Sequence, residues 1–272
     1  RDALEKAETV EWRLALINAL AYRNAAENIP LLTKYASDEN EDIRTAAIKA
    51  LVPIGNAKTA AVIAKALEKG SRRTGAAVSD AYLRLADRLA GKNDRSNALA
   101  IYRKLLSQNG HLKCAAIIGL GRAGGLTELP LIFEAMEDTD SKIRGAGIAA
   151  LGLLPAKDVI PRVTDKLKIA SPELKVSFIE ALSRTNNPAL IPSFLSAAED
   201  PQENVRIEAL KAMGKLADAR ALPAVIRAIG KATGKELEAA KNAVVFIPGE
   251  DVVDRLIAEQ TNTDTRGRVE LL

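Results

Sequence analysis

A chain of 272 residues is long enough for one elongated domain or two compact ones, and 47% hydrophobic with 27% charged residues places it outside the disordered range. Thirty-nine basic against 35 acidic residues leave a net charge of +4, and only 3% of residues are aromatic, so nucleic acid is permitted by charge but disfavoured by the scarcity of stacking side chains. A single cysteine, Cys114, excludes an intrachain disulfide and a cysteine metal cluster, and the longest uncharged apolar run, Gly145 to Ala156, falls short of the ~18 residues of a membrane span.

In chain order, the end of a helix around Leu4 is followed by WRLALINALAYRNAAENIPLL from Trp12, and this frame then returns. It is found again in LKCAAIIGLGRAGGLTELPLI from Leu112, IRGAGIAALGLLPAKDVIPRV from Ile143, LKVSFIEALSRTNNPALIPSF from Leu174 and VRIEALKAMGKLADARALPAV from Val205. Each copy opens on an apolar residue followed by a basic anchor, with a small residue six after the anchor and a proline seventeen after it. Across the chain the anchors stand at Arg13, Arg44, Gly75, Lys113, Arg144, Lys175, Arg206 and Glu238, a spacing of 31 residues except for 38 after Gly75 and 32 before Glu238. A fixed period of roughly 20 to 50 residues is the signature of a solenoid.

Three columns predict the buried stripe of the first helix in each unit. The position before the anchor reads Trp12, Ile43, Thr74, Leu112, Ile143, Leu174, Val205 and Leu237, and the fourth after it reads Ile17, Ile48, Ser79, Ile117, Ile148, Ile179, Leu210 and Asn242. The seventh after it reads Leu20, Leu51, Tyr82, Leu120, Leu151, Leu182, Met213 and Val245. Helix starts are predicted at Thr9, Asn40, Ser71, Asn109, Asp140 and Ser171, whose side chains suit an N-cap, and at Gln202 and Gly234. Pro30, Pro130, Pro161, Pro192 and Pro223 fit the first turn of a second helix, where the missing N–H is not needed. Each unit is therefore helix, turn, helix, a hairpin that buries both faces only by stacking on its neighbours. The third unit carries seven extra residues, nearly two turns, predicting a longer first helix through Leu83, Ala86 and Leu89, stopped at Gly91 and recapped at Asp94 or Ser96.

The DxxIR at Asp140, the NVRIEALKAMG at Asn204 and the recurring AL, IP and LP pairs resemble HEAT repeats of the short bacterial, phycobilisome-lyase type. The resemblance covers nearly the whole chain and implies an all-α fold, a right-handed α-α superhelix of about eight hairpins forming one solenoid over residues 1–272. For function it implies an interaction scaffold, with a bilin lyase-like enzyme subunit and a nucleic-acid-binding clamp as alternatives. The segment from Gly70 to Leu106 also resembles parts of large extracytoplasmic HEAT proteins, which implies a periplasmic or secreted setting ahead of a cytoplasmic one. The chain opens on Arg1, and 268–272 looks like the start of another first helix, so a piece of a longer protein is expected.

No constellation for chemistry is expected. His111, the only histidine, falls near a helix start, and it shares that helix with Cys114 at a spacing poorly suited to a nucleophile and its base. Neither has a partner set for zinc, and the glycines of GLGRAGG from Gly119 end a helix where a phosphate-cradling loop must begin one. Glu137, Asp138, Asp140, Glu199 and Asp200 read as solvated turn and cap residues. No catalytic, cofactor or metal residue is predicted. The resemblance implies that the first helices line the concave side, so binding is expected there, on the exposed stripe of positions two, five and nine after the anchor. Lys49, Arg84, Arg122, Arg184, Lys211 and Lys215 there outnumber Asp80, Glu180 and Glu208. They frame an apolar centre of Ile118, Ala149 and Leu153 amid Gly119, Gly121, Gly145, Gly147 and Gly152. This pattern calls for a protein or peptide partner of net negative character, with no small-molecule substrate, no cofactor and no membrane insertion.

Overall fold

The computed structural model describes residues 2–23, 25–68, 74–108, 110–249, 252–254 and 257, so Ser71, Asn109 and the 268–272 segment lie outside the described residues. Within these the chain is all-α, with no strand, and it divides into two compact units, residues 1–131 and 132–272. The first holds α1 (Asp2–Glu5), α2 (Val10–Arg23), α3 (Ile29–Tyr35), α4 (Glu41–Leu51), α5 (Ala57–Glu68), α6 (Gly75–Gly91), α7 (Arg95–Leu105) and α8 (His111–Ala123). The division falls within α9 (Leu129–Met136). The second holds α10 (Ser141–Leu153), α11 (Ala156–Ile169), α12 (Pro172–Ser183), α13 (Ile191–Ala197), α14 (Glu203–Leu216), α15 (Leu222–Lys231) and α16 (Gly234–Phe246).

In the first unit α2, α4, α6 and α8 pack in sequence as a row of first helices, with α3, α5 and α7 as the row behind them. In the second, α10, α12, α14 and α16 form such a row, backed by α11, α13 and α15. The predicted columns supply the glue. Ile43, Thr74, Leu112, Ile143, Leu174, Val205 and Leu237 are all buried, as are Ile17, Ile48, Ser79, Ile117, Ile148, Ile179 and Leu210. Each large aliphatic among them contributes about 1.5–3 kcal/mol on leaving water.

The ends of the rows break the pattern. Trp12 is 64% exposed, at the end of the row where no earlier first helix lies against α2 among the described residues. Asn242 and Val245, the latter 75% exposed, break the pattern for a different reason. A methyl group on Gly152 would meet the carbonyl of Ala181, six after the Lys175 anchor, and one on Gly214 would lie 2.7 Å from Cα of Ala243. Ala243 is six after Leu237, so the last helix counts from Leu237, and Asn242 turns outward while Ala243 and Ile247 turn inward.

Starts and stops follow local chemistry. Asn40, Asp140 and Ser171 accept hydrogen bonds from first-turn N–H groups, and Thr9 accepts from the N–H of Trp12 at 3.3 Å. Gln202 occupies its N-cap without such a bond, and Thr233 rather than Gly234 is the N-cap of α16. The long helix α6 ends at Gly91, yet the residue that turns the chain is Asn93, at φ 66°. The N–H of Asn93 bonds to the carbonyl of Ala90 and that of Asp94 to Leu89, the Schellman arrangement, which asparagine can close because its short polar side chain tolerates the left-handed region. Pro30, Pro192 and Pro223 occupy first-turn positions as expected. Pro161 does not: the short 3₁₀ turn that precedes the other prolines is replaced here by continuous helix from Ala156, which leaves Pro161 inside α11.

The basic anchors have a structural task. Arg44 Nη1 donates to the carbonyl of Asp38 at 2.5 Å, Arg144 Nη1 to those of Asp138 and Thr139 at 2.8 and 2.7 Å, and Arg206 Nη1 to those of Asp200 and Pro201 at 2.9 and 3.1 Å. Arg13 reaches the carbonyl of Ala7 in the same way. In three of these turns an aspartate, Asp38, Asp138 or Asp200, accepts from the N–H two residues on at 2.9 Å. The guanidinium thus satisfies carbonyls at the turn leading into its own helix, so the repeat's most visible charge is consumed in holding consecutive hairpins together.

Candidate functional site

The anchors being occupied, charge available to a partner lies at the fifth and ninth positions. In the first unit Lys49, Arg84 and Arg122 are exposed and Ile118 is half-buried. In the second, Arg184, Lys211 and Lys215 are exposed, Leu153 is 47% exposed and Ala149 half-buried. Arg84 pairs with Asp80 at 2.9 Å, Arg184 with Glu180 at 2.8 Å and Lys211 with Glu208 at 3.3 Å, each along its own helix. Lys49, Arg122 and Lys215 carry no ion pair among the described residues.

The glycines near the expected apolar centre divide by role. A methyl group on Gly119 would enter the ring of Tyr102, and one on Gly147 would lie 2.8 Å from the backbone nitrogen of Met136, so both permit close approach of a second helix. Gly145 faces open space. Tyr102 is fully buried, and its hydroxyl donates to Asp87 at 2.6 Å. Burial, with that carboxylate beside it, pushes the phenol well above its usual range.

The second unit carries a groove of about 1140 Å³ between α14 and α16. Ile207 and Gly214 of α14 and Ala239 and Ala243 of α16 line it, with Phe246, 67% exposed, at one side. Lys211 and Lys215 line it from α14, and α16 adds Lys235, Lys241 and the one acidic residue, Glu238. Two residues expected on the stripe thus stand together here, whereas Lys235, Lys241 and Phe246 were not expected. Counting from Leu237 instead of Glu238 brings Phe246 to the ninth position of the stripe, whereas Lys235 and Lys241 fall off the stripe in either register and reach the groove from its edge.

Other charged groups serve the stack. Glu128, fully buried in the turn before α9, takes a two-pronged contact from the Arg103 guanidinium and a hydrogen bond from the Thr127 hydroxyl at 3.1 Å. Gly124 leaves room for it, since a methyl group there would run into the Glu128 side chain. Glu128 belongs to a buried column with Asn28, Thr59, Val159, Leu190 and Ala221, each fifteen residues after its anchor, which sequence reading missed because three of its members are polar. Asp200, expected to be solvated, has a side chain only 8% exposed and meets Lys175 of the preceding hairpin at 2.7 Å. Burial raises its carboxyl, but hydrogen bonds from Lys175 and the N–H of Gln202 outweigh this and hold it below the usual range. His111 is exposed at the start of α8 and Cys114 half-buried on it. Among the described residues no group of three or more His, Cys, Asp and Glu could hold a metal ion, and no helix is long and apolar enough to cross a membrane.

The model of the HEAT repeats family matches residues 1–80 and 160–244, more than half of the chain. No curated protein matches it. Among solved structures, Kap121p bound to Ste12p is similar with a TM-score of 0.61 at 14% identity, over 99% of this chain and 36% of that one. The karyopherin Kap121p bound to the SUMO protease Ulp1p is similar with a TM-score of 0.56 at 13% identity, over 96% of this chain and 35% of that one. An engineered protein aligns over 98% of this chain and 85% of its own at 15% identity, with a TM-score of 0.45. The chain spans little more than a third of the length of the Kap121p structures, and at these identities the likeness is one of fold.

Proposed function

Because the chain belongs to the HEAT-repeat family, we propose that it is a non-catalytic scaffold holding a protein or peptide of net negative character on the exposed stripe of its first helices. The carrying observation is that Lys49, Arg122 and Lys215 on this stripe have no ion pair among the described residues, while the acids beside them, Asp80, Glu180 and Glu208, are each already paired. An uncommitted cation in water costs nothing to present and gains most against an acidic surface. Apolar area stands beside the cations within each unit, from Ile118 in the first and from Ala149 and Leu153 in the second, the combination found at interfaces. The Kap121p structures of similar fold are described as bound to proteins, Ste12p and Ulp1p, and the same kind of use is assigned here.

The test is affinity capture from an extract of the source cells, comparing the wild type with R122E/R184E. The variant loses the captured proteins and keeps its thermal unfolding midpoint, because both side chains are exposed. Capture that persists through the charge reversal places binding elsewhere. Retention of a nucleic acid in a salt-dependent gel shift, or a coloured covalent adduct formed with a bilin and its acceptor protein, replaces the scaffold reading with a different one.

A further inference from the structure

We infer that the groove between α14 and α16 is the docking site for an acidic amphipathic peptide segment, which lays apolar side chains on the groove floor while its carboxylates meet the lysines around it. The inference rests on the scaffold reading and narrows it to one site and one ligand chemistry. The groove has two properties that a single ligand must satisfy together. Its floor is apolar and made of small residues, Gly214, Ala239 and Ala243, with Ile207 and the exposed Phe246 beside them. Around that floor stand four lysines against one Glu238, and among the described residues Lys211 alone is engaged in an ion pair, with Glu208 on its own helix.

Each alternative ligand class meets only part of this. A nucleic acid supplies phosphates for the lysines but needs aromatic platforms for its bases, and among the described residues Phe246 is the only aromatic one lining the groove. A second copy of the chain brings a net charge of +4 towards a cationic site. A small molecule is a poor match for an open groove of about 1140 Å³, above the roughly 300–1,000 Å³ of enclosed ligand pockets. An acidic peptide with interspersed Leu or Phe covers the floor and neutralises the lysines at once. Lysine stems add apolar wall while their ammonium groups stay at the rim.

The probe is a short fluorescein-labelled peptide of glutamates with interspersed leucines and a central phenylalanine, titrated by fluorescence anisotropy. The wild type binds it saturably, K215E/K241E weakens it by about tenfold or more, and K58E, an exposed lysine of α5 in the first unit away from the stripe, leaves it unchanged. Replacing the apolar residues of the peptide by serine, or making F246S, weakens binding without changing its dependence on salt. Circular dichroism confirms that each variant is folded. If the serine peptide binds as well as the parent, the apolar floor is unused and the proposal fails. Failure of the wild type to bind the peptide, or a labelled single-stranded oligonucleotide binding more tightly than the peptide, overturns it as well. If R122E abolishes peptide binding and K215E/K241E does not, the groove is the wrong site while the scaffold reading stands.

Discussion

At Gly119 one added methyl group would enter a buried aromatic ring. The glycine backbone rests on the face of Tyr102, so the Cβ introduced by G119A would fall inside van der Waals contact with the ring. The ring cannot swing aside freely, because Tyr102 is fully buried and its hydroxyl is tied to Asp87 at 2.6 Å. Overpacking costs about 1–3 kcal/mol, and losing a hydrogen bond to a charged acceptor adds about 1.5–3 kcal/mol if the ring is displaced. Against this stands a gain of about 0.5–1 kcal/mol from replacing glycine with alanine inside a helix. The net expectation is a loss of roughly 2–4 kcal/mol, or about 5–15 °C in the unfolding midpoint of the first unit. Gly145 is the internal control: it lies within α10 with nothing near its Cβ position, so G145A gains the same propensity term with no clash and raises stability by about 0.5–1 kcal/mol. Thermal unfolding by far-ultraviolet circular dichroism, with amide exchange across α7 and α8, reads both. Equal effects of the two substitutions, or a stabilised G119A, would refute the packing of Tyr102 against α8.

Three further outcomes test the scaffold of the stack. R144A removes two hydrogen bonds from a charged donor to turn carbonyls and lowers stability by about 1.5–3 kcal/mol in denaturant titration, whereas R184A, whose exposed guanidinium pairs with Glu180 on its own helix, changes it by less than about 0.5 kcal/mol. Ala217 ends α14 in the left-handed region at φ 50°, so A217G relieves that strain and stabilises the second unit by about 0.5–1 kcal/mol, measured as a rise in midpoint. Asp218 is held down to about 2 by the hydrogen bonds of Arg220, from its guanidinium and its N–H, against an ordinary value of 3.8. A depressed folded value means that its stabilising contribution is complete above 3.8 and is lost as pH falls from there towards about 2, so the midpoint difference between wild type and D218A shrinks across that window. A difference that stays constant with pH removes the Arg220 pair from the account of acid stability.

The fold was legible because each hairpin solves the same burial problem with the same spacing, and columns such as Ile43, Ile143 and Val205 are buried as read. What escaped reading depends on neighbours rather than on residue type. Trp12 has the chemistry of a core residue and is exposed because no first helix precedes α2 among the described residues. The one-residue shift of α16 became visible only through the contact of Gly214 with Ala243, since Leu237 and Glu238 fit an amphipathic pattern almost equally well. The same limit applies to the site: Lys211 and Lys215 could be placed on an exposed stripe from α14 alone, but the groove needed the correct register of the helix across from them.

The basic anchor is the residue by which the repeat is recognised, and it is also the one least able to recognise anything else. Arg44, Arg144 and Arg206 spend their donors on turn carbonyls, and Arg206 additionally grips Glu236 of the next hairpin at 2.7–2.8 Å. Substituting any of them alters binding only by loosening the stack, and an effect on affinity should then track the effect on stability. The fifth and ninth positions carry no such duty. Lys49, Arg122 and Lys215 touch no acid among the described residues, so selection on a partner can change them without disturbing the hairpins. The two classes separate in one experiment: across a set of alanine variants, affinity for the acidic peptide correlates with unfolding midpoint at Arg144 and Arg206 and is independent of it at Lys215 and Lys241. A correlation with stability at all four positions would mean that the groove lysines hold the stack together and that the peptide senses only its integrity.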